Sequence, residues 1–358
     1  MKILQVCAYE ATYEGNFIKS LYALEKALGK KGHKVYYAFP NKAAETNWCK
    51  QLQKRTKVFF LPLRYSRVNP QAAKVLKKVL KGNDIDIVHS HFESYDISCK
   101  KAAKENTKVF WHLHDPIVKA RRPHKNMIIK MQYSHYGKGV VLLSVCDYYK
   151  DIAIKLGFDP KSAKTILNGI DLDRITYPYP VSEREYDFLT FGWDYRRKGV
   201  DLILNVLTRL EKEGYSFHFL LNTNERALPM INDYFEGNLP KWLTIGEHVE
   251  DVNTLFCNAS VFVQASRRET FCYAVCEAAY AGMDVISSDI SGLEWAHNVP
   301  SIDFFDNENE EQLYALLKKR LEKKKDISEH VIKESRKVIR QRYSVDVWVE
   351  QIIKAYGL

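Results

Sequence analysis

Residues 261–295, VFVQASRRETFCYAVCEAAYAGMDVISSDISGLEW, constrain the fold more than any other stretch of this chain. Val261-Phe262-Val263 is a β-branched and aromatic run, and the polar corner Ala265-Ser266-Arg267-Arg268-Glu269 breaks it. From Phe271 to Ala281 the residues are mostly small and apolar, with Ala278, Ala279 and Ala281 close together, which predicts a helix packed tightly on a sheet. Gly282 ends it, and Asp284-Val285-Ile286-Ser287-Ser288 reads as the next strand. Strand, helix and strand in that order form the repeating unit of a parallel sheet.

The same alternation runs through the rest of the sequence. Strand patterns occur at residues 2–8, 33–38, 57–61, 85–89, 109–112 and 140–145, and helical stretches separate most of them, beginning with an amphipathic one at 17–28. A new sheet opens at 188–192, with further strands at 217–221 and 243–245. Charged helical sequence fills 309–342, and 345–356 reads as a last amphipathic helix. The 358 residues suit two domains of about 150–200 residues each. The expected fold is therefore α/β, with two doubly wound parallel sheets.

Two acids in the rear half need a physical explanation. Glu277 lies among Val275, Cys276, Ala278 and Ala279, where a buried charge is costly unless it is hydrogen-bonded. Glu269 stands eight positions earlier, in the corner after the strand. Ligands of open α/β sheets bind beyond the carboxyl ends of strands, where helix N-termini favour anions. Both acids thus border the place where a ligand's phosphates belong. The plainer alternative is a solvated loop acid and a helix acid salt-bridged to a neighbour.

The pair resembles the E-x7-E signature of retaining nucleotide-sugar glycosyltransferases, a family with two Rossmann-like domains facing across a cleft (the GT-B architecture). The likeness continues in Ser266-Arg267-Arg268-Glu269-Thr270-Phe271, in Glu277-Ala278, in Gly282, and in Ser288-Asp289 before Gly292. It implies that Glu269 contacts the donor sugar, that Glu277 binds the ribose hydroxyls, and that the backbone at Phe271, Cys272 and Tyr273 holds sugar and diphosphate. Cys272 stands where the family usually has glycine, so its side chain is expected to narrow the sugar pocket. Asn168-Gly169-Ile170-Asp171 resembles the N-G-I-D that opens the second domain, which places the boundaries at 1–164, 165–342 and 343–358, the last helix returning to the first domain. Trp193-Asp194-Tyr195-Arg196-Arg197-Lys198-Gly199 resembles the phosphate-binding loop, with Lys198 on the donor diphosphate. Trp193 replaces the family's arginine, and either Arg196 or Arg197 supplies that charge. His248 and Val249, after Gly246, match the segment whose backbone cradles the base.

In the front half, residues 9–16 follow the first strand and match a loop that faces donor phosphate and acceptor, with Gly15 its one glycine. His114 matches the histidine that hydrogen-bonds and orients the reacting sugar, with Asp115 and His91 as neighbours. A metal site built from His91, His112 and His114 is the rival reading, although the family needs no metal. Asp84/Asp86 and Asp171/Asp173 have D-x-D spacing, but the first pair precedes its strand, at the wrong edge of the sheet, and the second sits at the crossover. No cofactor is expected; the nucleoside-diphosphate sugar, UDP-linked by expectation, is a substrate. The resemblance implies retaining transfer of a hexose to a saccharide or lipid-linked acceptor in cell-surface glycan synthesis. The alternatives are a nucleotide-sugar epimerase of the same architecture and a non-catalytic partner subunit.

Charge bears on partners. Residues 1–170 carry about 31 Lys/Arg against about 13 Asp/Glu, and the remainder about 23 against 31, so the front half is strongly basic and the rear mildly acidic within a net charge of +10. The RNP-like motifs, zinc-finger spacing and base-reading arginine-rich helices of nucleic-acid binders do not occur, so no nucleic acid is expected. Two basic stretches, 69–82 with Lys74, Lys77, Lys78 and Lys81, and 119–125 before Met127-Ile128-Ile129, suit an anionic membrane surface; the first also fits a helix covering the sheet. No apolar run approaches the ~18 residues of a membrane span. The seven scattered cysteines form no C-x-x-C pair. Cytoplasmic residence, peripheral at the membrane's inner face, is the expectation.

Overall fold

The computed structural model describes residues 1–64, 66–176, 184–247, 249, 251–323 and 327–358. The chain divides into two units, Met1–Gly169 together with Val345–Leu358, and Ile170–Ser344.

The first unit is built on a seven-stranded sheet of β1 (Lys2–Cys7), β2 (Lys34–Pro40), β3 (Val58–Leu61), β4 (Ile87–His91), β5 (Lys108–Leu113), β6 (Val141–Ser144) and β7 (Ala163–Thr165), in the order β3-β2-β1-β4-β5-β6-β7. Every pairing is parallel. A parallel sheet needs cover on both faces, which explains why strands such as β1, β4 and β5 are buried along almost their whole length. One face packs on Leu76, Leu80, Cys99 and Tyr133, the other on Phe17, Leu21, Leu24, Trp348, Ile352 and Tyr356. The last three belong to the helix Val345–Tyr356, so the chain's end completes the core begun by its first strand. The helix Pro70–Asn83 shows how sequence sets a boundary: the Asn69 side chain accepts from the Ala72 amide, and Pro70 occupies a position whose N–H would be unpaired. Its Ala72, Leu76, Val79 and Leu80 are buried while its lysines remain exposed, so this helix covers the sheet.

The second unit has a six-stranded parallel sheet of β8 (Tyr186–Phe191), β9 (Phe219–Asn222), β10 (Leu243–Gly246), β11 (Ala259–Gln264), β12 (Asp284–Asp289) and β13 (Ile302–Asp306), ordered β10-β9-β8-β11-β12-β13. The helix Tyr273–Ala281 is buried from Val275 to Ala281 and ends at Gly282, whose φ of +95° is left-handed.

The division falls after Gly169 instead of after Lys164, because β7 pairs with β6 and keeps residues up to 165 in the first sheet. The charged stretch at 309–342 forms two helices, Glu310–Lys323 and Glu329–Arg342. β13 was not legible in the sequence, since Asp303 and Asp306 interrupt its apolar pattern.

Candidate functional site

Adjacent strands β8 and β11 of the second unit end beside each other, and the loop after each carries the groups expected to meet phosphate. Gly199 closes the first loop with φ +65°, and a Cβ there would lie 2.0 Å from the Ala265 carbonyl oxygen, so only glycine allows the two loops to approach this closely. The Arg267 amide donates to the Arg197 carbonyl at 2.8 Å and ties them together.

This clasp delivers Lys198 to Glu269. Both are buried, and Lys198 Nζ lies 2.7 Å from Glu269 Oε1. The same oxygen accepts from Ser266 Oγ at 2.9 Å, Gln264 Nε2 at 3.2 Å and Arg197 Nη1 at 3.3 Å. Burial alone would raise the Glu269 carboxyl, but Lys198 and Arg197 outweigh it and hold it below the ordinary carboxylate range. Burial likewise opposes the Lys198 charge, and Glu269 overrides it and raises the ammonium above its usual value. The pair is charged at neutral pH, with two cations fixed at the mouth of a helix.

Of the two candidate arginines, Arg197 stands at this cluster and Arg196 does not. Arg196 is exposed and pairs with Asp201 at 2.6 Å, an acid that Arg267 also holds at 2.8 Å. Arg197 stacks on the exposed Trp193 ring, its guanidinium carbon 4.3 Å from the centroid. Trp193, in the position of the missing arginine, thus steadies a cation without supplying one.

Cys272 precedes the helix Tyr273–Ala281 at φ +60°, a conformation that favours glycine. Its buried thiol accepts from Gln264 Nε2 at 3.3 Å, and burial pushes its pKa up to about 11, so it is a neutral, space-filling group. The Phe271 ring is buried against Trp295, with centroids 4.8 Å apart, and its carbonyl accepts from Trp295 Nε1, so Phe271 presents little beyond its backbone N–H. The ring hydroxyl of Tyr273 is raised by burial and by Glu277. Glu277 is itself buried inside that helix, and Arg174 Nη1 reaches its Oε1 at 3.2 Å. Val249 is half-buried beyond β10, and His248 lies outside the described residues.

The first unit brings its own candidates to the carboxyl edge of its sheet. Gly15 takes φ +55° and opens the helix Gly15–Lys30. His114 follows β5 and is buried between Phe17 and Phe92, ring centroids 5.3 and 4.7 Å away. Burial lowers it to about 3, a neutral imidazole. His91 Nδ1 lies 2.9 Å from His114 Nε2, whereas Asp115 is exposed. Phe92 and Glu93, next along from His91, both have left-handed backbones at φ +62° and +52°, and Glu93 pairs with Arg67 at 2.5 Å.

Among the described residues, the histidines that could jointly hold a metal ion are His89, His91 and His112, with one ring nitrogen of each within 4.8 Å of the others, and not the set His91, His112 and His114. Both His91 nitrogens are engaged, by His114 and by Gln5. The D-x-D acids have structural partners: Asp86 accepts from the Lys2 amide, Asp84 caps a helix, and Asp171 accepts from the Asp173 amide. Sequence reasoning missed Arg174, Gln264 and Ser266. Gln264 closes β11 and Ser266 follows it in the corner, where Gln264 Nε2 donates to Ser266 Oγ at 2.6 Å.

Residues 19–174 match the Glycosyltransferase Family 4 family and residues 185–323 match glycosyl transferases group 1. The A component of human phosphatidylinositol N-acetylglucosaminyltransferase is 22% identical over 314 residues, covering 78% of this chain and 60% of that protein. An uncharacterized 41.2 kDa protein in the cps region of Klebsiella pneumoniae is 22% identical over 237 residues, covering 61% and 64%. The chain therefore spans about three fifths of the length of these relatives. Among solved structures, a glycosyltransferase from Rickettsia africae superposes with a TM-score of 0.79 at 17% identity, covering 99% of this chain and 97% of that one. Anabaena Alr3699/HepE in complex with UDP and glucose gives 0.78 at 14% identity, covering 100% and 99%. The lipopolysaccharide-biosynthesis glycosyltransferase WaaG gives 0.73 at 15%, covering 99% and 100%.

Proposed function

The chain belongs to the GT-B glycosyltransferases of the Glycosyltransferase Family 4 kind, and from that membership we propose that it moves a hexose, with retention, from a UDP-linked donor to a saccharide or lipid-linked acceptor in cell-surface glycan synthesis. The observation that carries this reading is the buried Lys198–Glu269 pair with Arg197 beside it, at the start of a helix whose first turn holds no acidic side chain. Cleaving a sugar–diphosphate bond puts negative charge on the leaving phosphate, and each preorganised donor aimed at it is worth ~10²–10³ in rate. Lys198, Arg197 and the first amides of the helix Tyr273–Ala281 are such donors, and they act without a metal. A diphosphate would compete with Glu269 for the two cations, freeing the carboxylate to accept from a sugar hydroxyl. The acceptor attacks the same face of the sugar, and the departing phosphate takes its proton. His114 hydrogen-bonds and orients the transferred sugar. Anabaena Alr3699/HepE holds UDP and glucose on the same fold, which supports a UDP-linked donor.

The test is release of nucleoside diphosphate from UDP-hexoses with and without a lipid-linked oligosaccharide acceptor. Acceptor-dependent release is expected. Conversion of the free donor to its epimer would replace this reading with an epimerase, and no turnover of any nucleotide sugar would leave a non-catalytic subunit.

The membrane side of the proposal rests on the helix Pro123–Met131. Met127 is 60% and Met131 41% exposed, and Lys119, Arg121, Arg122, Lys125 and Lys130, near them in the chain, are exposed as well. The Asn126 side chain bonds both the amide and the carbonyl of Ala120, at 2.7 and 2.9 Å, and holds the basic segment against the helix. No helix among the described residues is long and apolar enough to cross a membrane. Exposed methionines in a segment of exposed cations suit shallow insertion among anionic headgroups, at about 1 kcal/mol per basic residue near the surface. Changing Arg121, Arg122 and Lys125 together to Glu is expected to abolish sedimentation with phosphatidylglycerol-containing vesicles. Equal sedimentation by wild type and variant would refute the contact.

A further inference from the structure

Behind His114 runs a hydrogen-bonded chain through the core of the first unit, reaching the first strand and the last helix. His114 Nε2 lies 2.9 Å from His91 Nδ1, and His91 Nε2 lies 2.9 Å from Gln5 Oε1. Gln5 Nε2 donates to the Tyr356 hydroxyl at 2.9 Å, and that hydroxyl meets His89 Nδ1 at 2.7 Å. Gln5, His89 and His91 are wholly buried, and Tyr356 nearly so.

The order of protons along this chain follows from what each atom can do. An amide oxygen only accepts, so His91 must carry its proton on Nε2. Burial first, and the neighbouring imidazoles second, hold His91 neutral, so it has one ring proton and its Nδ1 bears a lone pair. His114 Nε2, facing that lone pair, must donate, and His114 too is neutral, with the Asn168 side chain as a further hydrogen-bond partner. Its proton therefore sits on Nε2 and its Nδ1 is an acceptor. The orientation begins at Gln5, whose amide is held by Tyr356 of the closing helix.

We propose that Gln5 is a positioning residue, which acts through His91 to fix the tautomer of His114 and so makes His114 a hydrogen-bond acceptor toward a sugar hydroxyl. This rests on the assignment of His114 to the transferred sugar. A histidine held in the wrong tautomer keeps its place but loses its function, as when the orienting acid of a catalytic triad is replaced by its amide.

The experiment is a two-bond proton–nitrogen correlation spectrum of the full chain labelled with ¹⁵N-histidine, with His114 assigned through His114→Asn. Wild type is expected to show the Nε2–H form at His114. Gln5→Leu removes the acceptor and should give the Nδ1–H form or a mixture, with kcat for UDP release falling about tenfold or more and KM for donor nearly unchanged. Gln5→Glu keeps an acceptor for His91 Nε2–H and should restore both the tautomer and most of kcat. Tyr356→Phe leaves the Gln5 amide in place without its anchor, and shifts the tautomer in the same direction if Gln5→Leu fails to fold. An Nδ1–H form in wild type, or an unchanged tautomer in Gln5→Leu and Tyr356→Phe, overturns the proposal whatever the activity. A shifted tautomer with unchanged kcat, where His114→Ala is inactive, overturns the positioning role. Full activity of His114→Ala overturns instead the sugar assignment beneath it.

Discussion

Lys198→Ala and Glu269→Ala are each expected to lower sugar-transfer turnover by at least ~10², in line with loss of a contact made chiefly in the transition state. Lys198 is buried and bonded to Glu269 at 2.7 Å, so its ammonium is already stripped of water and fixed before a donor arrives. Such a charge would reorganise little as a leaving phosphate develops its own, so its removal is expected to affect kcat more than ground-state binding. The stability cost is smaller than for an isolated buried pair. Breaking one typically costs 3–5 kcal/mol because a charge is left unpaired, but Glu269 retains Arg197, Ser266 and Gln264. Lys198→Ala is therefore expected to fold, at a cost of about 1–3 kcal/mol, the range for leaving a buried polar group short of one partner. Circular dichroism melts and UDP-release kinetics on the same preparation separate the two effects. Near wild-type turnover by Lys198→Ala would contradict the assignment.

Glu277→Ala acts on binding. Its carboxylate is buried in the helix Tyr273–Ala281, with Arg174 at 3.2 Å, and the proposal gives it the ribose hydroxyls. A hydrogen bond to a charged group contributes ≈1.5–3 kcal/mol, so losing even one should weaken UDP binding by about 10- to 100-fold and leave kcat at saturating donor largely intact. Arg174→Ala should weaken binding less, since it removes only the group that steadies the carboxylate. A dissociation constant unchanged in Glu277→Ala, measured by titration calorimetry, would count against the ribose role and leave Glu277 as the salt-bridged helix acid of the plainer reading.

What the sequence showed and what it hid follow a physical division. Local periodicity announced the alternating strands and helices, and the run from β11 through the helix Tyr273–Ala281 to β12 was legible because β-branched residues, small residues and a terminal glycine each have a short-range cause. The end of β4 was less so: its strand pattern finishes at His89, but the strand continues to His91 and turns on two left-handed residues, Phe92 and Glu93, whose types do not announce that backbone. The resemblance pointed to Lys198 and Glu269, but only the geometry shows that Arg197 stands beside them while Asp201 captures Arg196. Arg174 with Glu277, and Gln5 with His91 and Tyr356, join residues far apart in the chain, and no spacing rule reports such pairs. Cys272 is a different case. Its identity was plain in the sequence, but only the backbone at φ +60° shows why glycine is the usual occupant.

The measurement closest to the central claim is the melting temperature of the full chain against a panel of UDP-, GDP- and ADP-sugars. A ligand at about 100 times its dissociation constant stabilises a protein by ≈2.7 kcal/mol, so one nucleotide class, UDP by this account, should raise the transition by several degrees in wild type and by much less in Glu277→Ala. No shift with any nucleotide sugar, or an equal shift in wild type and variant, would contradict a donor site built on Lys198, Glu269 and Glu277.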